Sequence, residues 1–166
     1  MHAKRLTRMA LLTAVALTIF VVEAQLPALA PIPGIKLGLS NIVTIWALFS
    51  LGPLDAGMIL LARILLGGVF AGQLMTLLYS LSGGALCYLV TVVLKRFLTD
   101  RQIWVASIFG AMAHNLGQLL AASLVMHAGA VFYYFPVLMI SGILTGAFTG
   151  LAAQLLYSRL KKLHIS

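Results

Sequence analysis

Acidic side chains are nearly missing from this chain. Its 166 residues include three, Glu23, Asp55 and Asp100, and no two of them are adjacent. Chemistry that ionises a diphosphate with Mg²⁺ needs several hard oxygen ligands around the cation, and three scattered carboxylates do not supply them. Cysteine is scarcer still. Cys87 is the single one and lies within an apolar run, which excludes a disulfide framework or a thiolate metal cluster and leaves a buried, inert thiol as the expectation. No phosphate-binding loop of the GxxxxGK[ST] type occurs, so any use of ATP belongs to another chain. Charged residues of both signs make up only 8% of the sequence. No stretch reads as a soluble domain, a linker or a low-complexity tract, and no internal repeat aligns.

What the chain has instead is apolar length. With 62% hydrophobic residues and a mean hydropathy of +1.09, it carries more apolar surface than a soluble globule of this size can hide. The expectation is an all-α polytopic membrane protein, one domain over 1–166. A crossing helix needs about 20 apolar residues at a rise of about 1.5 Å each. That yardstick yields six segments, near 9–29, 38–52, 54–71, 73–94, 103–126 and 134–157, forming a compact six-helix bundle. The second is short for a full crossing, which implies a thinned or tilted passage. The first does not read as a cleaved signal, because Glu23 and Gln25 interrupt it and no small-residue cleavage site precedes a soluble domain.

Basic residues cluster at the ends of these runs: Lys4, Arg5 and Arg8; Lys95, Arg96 and Arg101; Arg159, Lys161 and Lys162. Six crossings put all three clusters on one side, which the positive-inside rule makes cytoplasmic, with both termini inside. The net charge of +8 is then a matter of lipid headgroups rather than nucleic acid. The opposite side receives the loop 27–37, the turn at Gly72 and Gln73, and the segment from His127 to Tyr133, whose "VFYYF" reads as an interfacial aromatic belt.

Polar groups at membrane depth carry a free-energy cost unless they meet a partner, water or a ligand. Glu23, Asn41, Arg63, Gln73, His114, Asn115 and Gln118 are the main set. An arginine at the centre of a crossing costs about 2.5–3.5 kcal/mol on insertion scales, so Arg63 should face the bundle interior. There it either pairs with Glu23 to hold helices together or meets a ligand. On the fifth helix "AHNLGQLLAA" places His114, Asn115 and Gln118 on one wide face, beside Gly117. Satisfied structural groups and a binding site are both open for this trio.

Between the first two apolar runs stands "PIPGIKLGLSN". Pro31 and Pro33 stiffen the backbone, Gly34 and Gly38 permit turns and close approach, Lys36 adds a flexible cation, and Ser40 or Asn41 can cap or line the second helix. The stretch is either a rigid turn with Lys36 reaching headgroups, or a lid over an outward-facing cavity with Lys36 on an anionic group. Small residues also recur four apart, at Ala10 and Ala14, at Gly68 and Gly72, and at Gly142, Gly146 and Gly150. Such faces let helices approach closely, either within the bundle or against a partner.

"PGIKLGLSNIVTIWAL", with "AHNLGQLLAA" downstream, resembles the small bacterial membrane family called Gx transporter, also named heptaprenyl diphosphate synthase component I. The likeness covers nearly the whole chain. That family in turn resembles the substrate-binding S components of energy-coupling factor (ECF) transporters, six-helix proteins of this size that work with a scaffold subunit and two ATPases. The resemblance implies a subunit in the bacterial cytoplasmic membrane that binds a small nutrient or cofactor for uptake. It also implies that Ala10 and Ala14, in "ALLTA", face the scaffold subunit. On this reading Glu23, Gly34, Lys36, Asn41, Arg63, His114, Asn115 and Gln118 form the substrate site, and Lys36 and Arg63 favour an anionic ligand. No catalytic residue, metal or cofactor is expected. The alternative is a non-catalytic membrane component of heptaprenyl diphosphate or quinone synthesis.

Overall fold

The computed structural model describes residues 2–25, 38–72 and 74–162. Among them the chain is all-α: α1 (His2–Glu23), α2 (Asn41–Ser50), α3 (Pro53–Ala71), α4 (Leu74–Lys95), α5 (Ile103–Met126) and α6 (Phe135–Lys162), with a 3₁₀ turn at Gly129–Tyr134 leading into α6. Five of these helices are long and apolar enough to cross a bilayer. Their outward faces remain apolar, with Val69, Phe70, Leu124, Leu144 and Phe148 all largely exposed, as a surface solvated by lipid requires. The chain is a multi-pass membrane protein.

Helix ends follow local chemistry rather than the limits of the apolar runs. α1 begins at His2, not near residue 9, and α6 continues to Lys162, not to residue 157. Lysine and arginine are good helix formers, so a basic flank lengthens a helix without interrupting it. At its other end α1 stops at Glu23, short of the expected residue 29, in a turn over residues 24–25. Gly72 ends α3 in a left-handed cap, its amide donating to the carbonyls of Gly68 and Val69. Gly52, at φ 101°, and Pro53 at the first helical position make the abrupt change from α2 to α3.

The expected second crossing is a half-crossing. α2 has ten residues, about 15 Å of helix, against a hydrocarbon core about 30 Å thick. Its side chains from Val43 to Phe49 are all buried, and it packs against all five other helices. Ile45, Ala47 and Leu48, together with Ala16, Ile59, Ile103 and Ala153 from its neighbours, form the main apolar core.

Cross-links show that one end of the bundle gathers all the basic clusters. Arg5 donates to the Asp55 carboxylate, joining the starts of α1 and α3. Lys95 Nζ donates to the Leu48 carbonyl at 2.5 Å, tying the end of α4 to the end of α2, and its charge lies 5.7 Å from the Phe49 ring centre. Lys161 and Tyr157 on α6 donate to Asp100 in the α4–α5 connection at 2.7 and 2.9 Å. The Lys161 hydrogen bond is the main reason the Asp100 carboxyl titrates below its usual range.

Glycine seams close the other side of the bundle. A Cβ added at Gly117 would lie 2.6 Å from the Ser82 carbonyl oxygen, and one at Gly83 would lie 2.8 Å from that of His114, so α4 and α5 cross backbone to backbone. Gly142, Gly146 and Gly150 do the same for α6 on α5; a Cβ at Gly150 would meet the Trp104 Cα at 2.6 Å. This glycine face is therefore used inside the bundle and is not a partner surface. Ala10 and Ala14 lie on the outside of α1. Cys87 is buried and free.

Candidate ligand-binding site

The short α2 begins inside the bundle, and its first turn is where the costly polar groups meet. Arg63 lies about 12 Å along α3 from Asp55, close to mid-depth, and is 2% exposed. Its guanidinium donates through Nη1 to Ser40 Oγ and through Nη2 to Asn41 Oδ1 at 3.3 Å. Ser40 thus spends its hydroxyl on Arg63 and does not cap α2. The first amides of α2 are met locally instead, Asn41 N by the Gly38 carbonyl at 2.9 Å and Ile42 N by that of Leu39 at 3.1 Å.

Glu23, at the end of α1, is buried, and its Oε1 accepts the Gly38 amide at 2.5 Å. Its charge lies close enough to act on Arg63. The carboxylate therefore holds the entry to α2 while balancing the buried cation. Gly38 has φ 79°, and a Cβ there would lie 3.0 Å from Asn41 Nδ2 and 3.2 Å from His114 Cδ2. Conformation and space both demand glycine at this point.

The fifth helix divides its polar trio between two neighbours. His114 and Gln118 face α4, where a Cβ at Gly83 would touch His114 Cε1 at 3.0 Å and Gln118 Cγ at 2.9 Å. Asn115 turns to α6 and donates through Nδ2 to the Leu138 carbonyl at 2.6 Å. The single wide face expected from the sequence is thus two faces. His114 joins the cluster of Gly38, Asn41 and Arg63, and Asn115 clips α5 to α6. Gly34 and Lys36 lie outside the described residues, as does Gln73.

Three buried atoms in this region have no hydrogen-bond partner among the described residues: Arg63 Nε, His114 Nδ1 and Gln118 Oε1. The hydroxyl of Thr44 and the indole nitrogen of Trp46, both on α2, are in the same position. Leaving a buried polar atom unmade costs about 1–3 kcal/mol, more for a charged group. Several of them grouped in one bundle make this the candidate site for a bound water or ligand. The available chemistry is one charged N–H donor, one amide acceptor and one imidazole nitrogen. No three histidine, cysteine or acidic side chains converge among the described residues.

Ser40 and Gly83 are the site residues that reading the sequence undervalued. Ser40 was visible only as a residue that could cap or line the start of the second helix. Gly83 stands in "LSGGAL", where paired glycines inside an apolar helix are the signal that another backbone approaches.

A family model, Heptaprenyl diphosphate synthase component I, matches residues 12–156. The chain belongs to this family. The matched region contains Glu23, Ser40, Asn41, Arg63, Gly83, His114 and Gln118, so the whole polar cluster lies inside the family's own domain. No curated protein and no solved structure matches the chain.

Proposed function

We propose that this member of the heptaprenyl diphosphate synthase component I family is the substrate-binding membrane subunit of an ECF-type uptake transporter, taking a small nutrient or cofactor with an anionic or strongly accepting group. One observation carries the reading: buried polar atoms on Arg63, His114 and Gln118 that have no partner among the described residues, gathered at the inward start of a helix that crosses only half the bilayer. Interrupted helices starting at mid-depth are a recurrent way to build a substrate site in transporters, because the positive end of the helix dipole faces the ligand. Arg63 Nε supplies the donor, Gln118 Oε1 accepts from the ligand, and Glu23 keeps the buried cation balanced before the ligand arrives.

In this reading the basic end of the bundle faces the cytoplasm of a bacterial cell, with both termini inside, and the site opens to the other side. Ala10 and Ala14 contact a scaffold subunit that works with ATPases. The test is purification in mild detergent, followed by denaturation and mass spectrometry of what is released. A stoichiometric small molecule that Gln118→Leu no longer retains supports the proposal, and a wild-type protein that neither retains nor binds any small molecule overturns it.

The family's name favours a second reading, a non-catalytic membrane component of heptaprenyl diphosphate or quinone synthesis. The chain's carboxylates suit such a role better than a catalytic one. Asp55 is engaged with Arg5, Asp100 with Lys161 and Glu23 with the Gly38 amide, so none is grouped to hold Mg²⁺ on a diphosphate. Deleting the gene and measuring long-chain quinones separates the two: quinone loss without a nutrient requirement favours this one.

A further inference from the structure

At the basic end, the start of α1 is electrostatically unfavourable as it stands. Lys4, Arg5 and Arg8 occupy its first two turns, where the helix dipole disfavours cations, and the first turn holds no acidic residue. Lys4 and Arg8 are four apart, so two like charges share one face of the helix, an arrangement that destabilises a helix unless an anion lies between them. Asp55 answers only part of this charge. It is buried and fully engaged by Arg5, which binds it through both Nε and Nη2. These side chains and Leu51 surround a cavity of about 280 Å³. Three cations and one carboxylate leave it with a net charge of +2.

We propose that this cavity is a binding site for a phosphate group, held between Lys4 and Arg8 with Arg5 fixed beside it by Asp55, and that its occupant is the headgroup of an anionic phospholipid. The phosphate supplies the negative charge the first turns of α1 lack, and its oxygens accept from ammonium and guanidinium donors together. Leu51 and the outward-facing Leu11, one turn beyond Arg8 on the same face of α1, give the attached glycerol and acyl chains apolar contact, which a free phosphate would not use. Asp55, on the wall of this cavity, lies about 12 Å along α3 from Arg63, so the site is separate from the ligand site deeper in the bundle.

The test is native mass spectrometry of the detergent-purified full chain, titrated separately with phosphatidylglycerol, phosphatidylcholine and inorganic phosphate. Lys4→Gln/Arg8→Gln is compared with Arg96→Gln/Arg159→Gln, which removes the same charge from two exposed positions and leaves the Arg5–Asp55 pair intact in both. The expected result is one equivalent of phosphatidylglycerol retained over phosphatidylcholine, weakened roughly tenfold or more in the first variant and unchanged in the second. Protection by inorganic phosphate alone, lost in the same variant, would retain the phosphate site and assign it to a free anion. Equal weakening in the two variants, or no preference for either phosphate source, would overturn the proposal.

Discussion

The two sides of the bundle are held together by different means. α4, α5 and α6 meet through glycine, backbone against backbone, with no space at Gly83, Gly117, Gly146 or Gly150 for even a methyl group. α1, α2 and α3 meet through charge and hydrogen bonds: Arg5 on Asp55, Arg63 on Ser40 and Asn41, and Glu23 on the Gly38 amide. The first kind of contact needs only close approach, yet at Gly83 it encloses His114 Nδ1 and Gln118 Oε1, which have no partner among the described residues. The second leaves polar atoms over, because a guanidinium has five donors and two neighbours rarely satisfy them all. A rigid wall and an incomplete polar lining thus face each other across His114 and Gln118.

Breaking the rigid wall should have the largest effect. Gly150→Leu drives a side chain into the Trp104 backbone, and the expected loss of about 3 kcal/mol or more should remove most folded protein from size-exclusion profiles. Ala14→Leu, on an exposed face of α1, should leave the same profile unchanged.

Two neighbours on α5 sharpen the contrast. Asn115→Leu gives up a hydrogen bond to the Leu138 carbonyl and should cost about 1 kcal/mol in thermal unfolding while sparing ligand retention. Gln118→Leu, of similar size, deletes an acceptor that has no partner among the described residues, so stability should change by less than about 0.5 kcal/mol while ligand affinity falls roughly tenfold or more. If both variants behave alike, the division of α5 into a structural and a ligand-facing side is wrong.

A smaller, partner-dependent effect is expected from Ala10→Leu/Ala14→Leu. Co-purification with a scaffold subunit should weaken while ligand binding by the isolated chain persists, and unchanged co-purification would leave these alanines facing only lipid. The smallest effect concerns Asp100. Its carboxyl is lowered by Lys161, so the stabilisation is present above the ordinary carboxylate range near pH 4 and is lost as pH falls through the lowered value. Lys161→Gln should flatten that acid limb of the melting curve slightly, since both side chains are half exposed and screened.

The six helices were legible because lipid imposes one simple demand, apolar side chains over a set length. Their ends were less so: the basic flanks at Lys4 to Arg8 and Arg159 to Lys162 belong to the helices, and hydropathy does not register that. Arg63, Asn41, His114 and Gln118 stood out because each is expensive in hydrocarbon, a cost visible one residue at a time. The turning of Asn115 toward α6 did not, since the orientation of α5 is decided by which glycines on α4 and α6 it meets. The Arg5–Asp55 link was equally hidden, because it joins residues fifty positions apart.

The ten residues of α2 also bear on how the protein is made. A segment covering half the hydrocarbon core gains too little from lipid to be retained there as an independent unit during synthesis. Its partners in the main core come from α1, α3, α5 and α6, and the last of these is made more than eighty residues later. The core around α2 is therefore complete only once α6 has been made, so most of what holds this helix in place comes from chain synthesised after it.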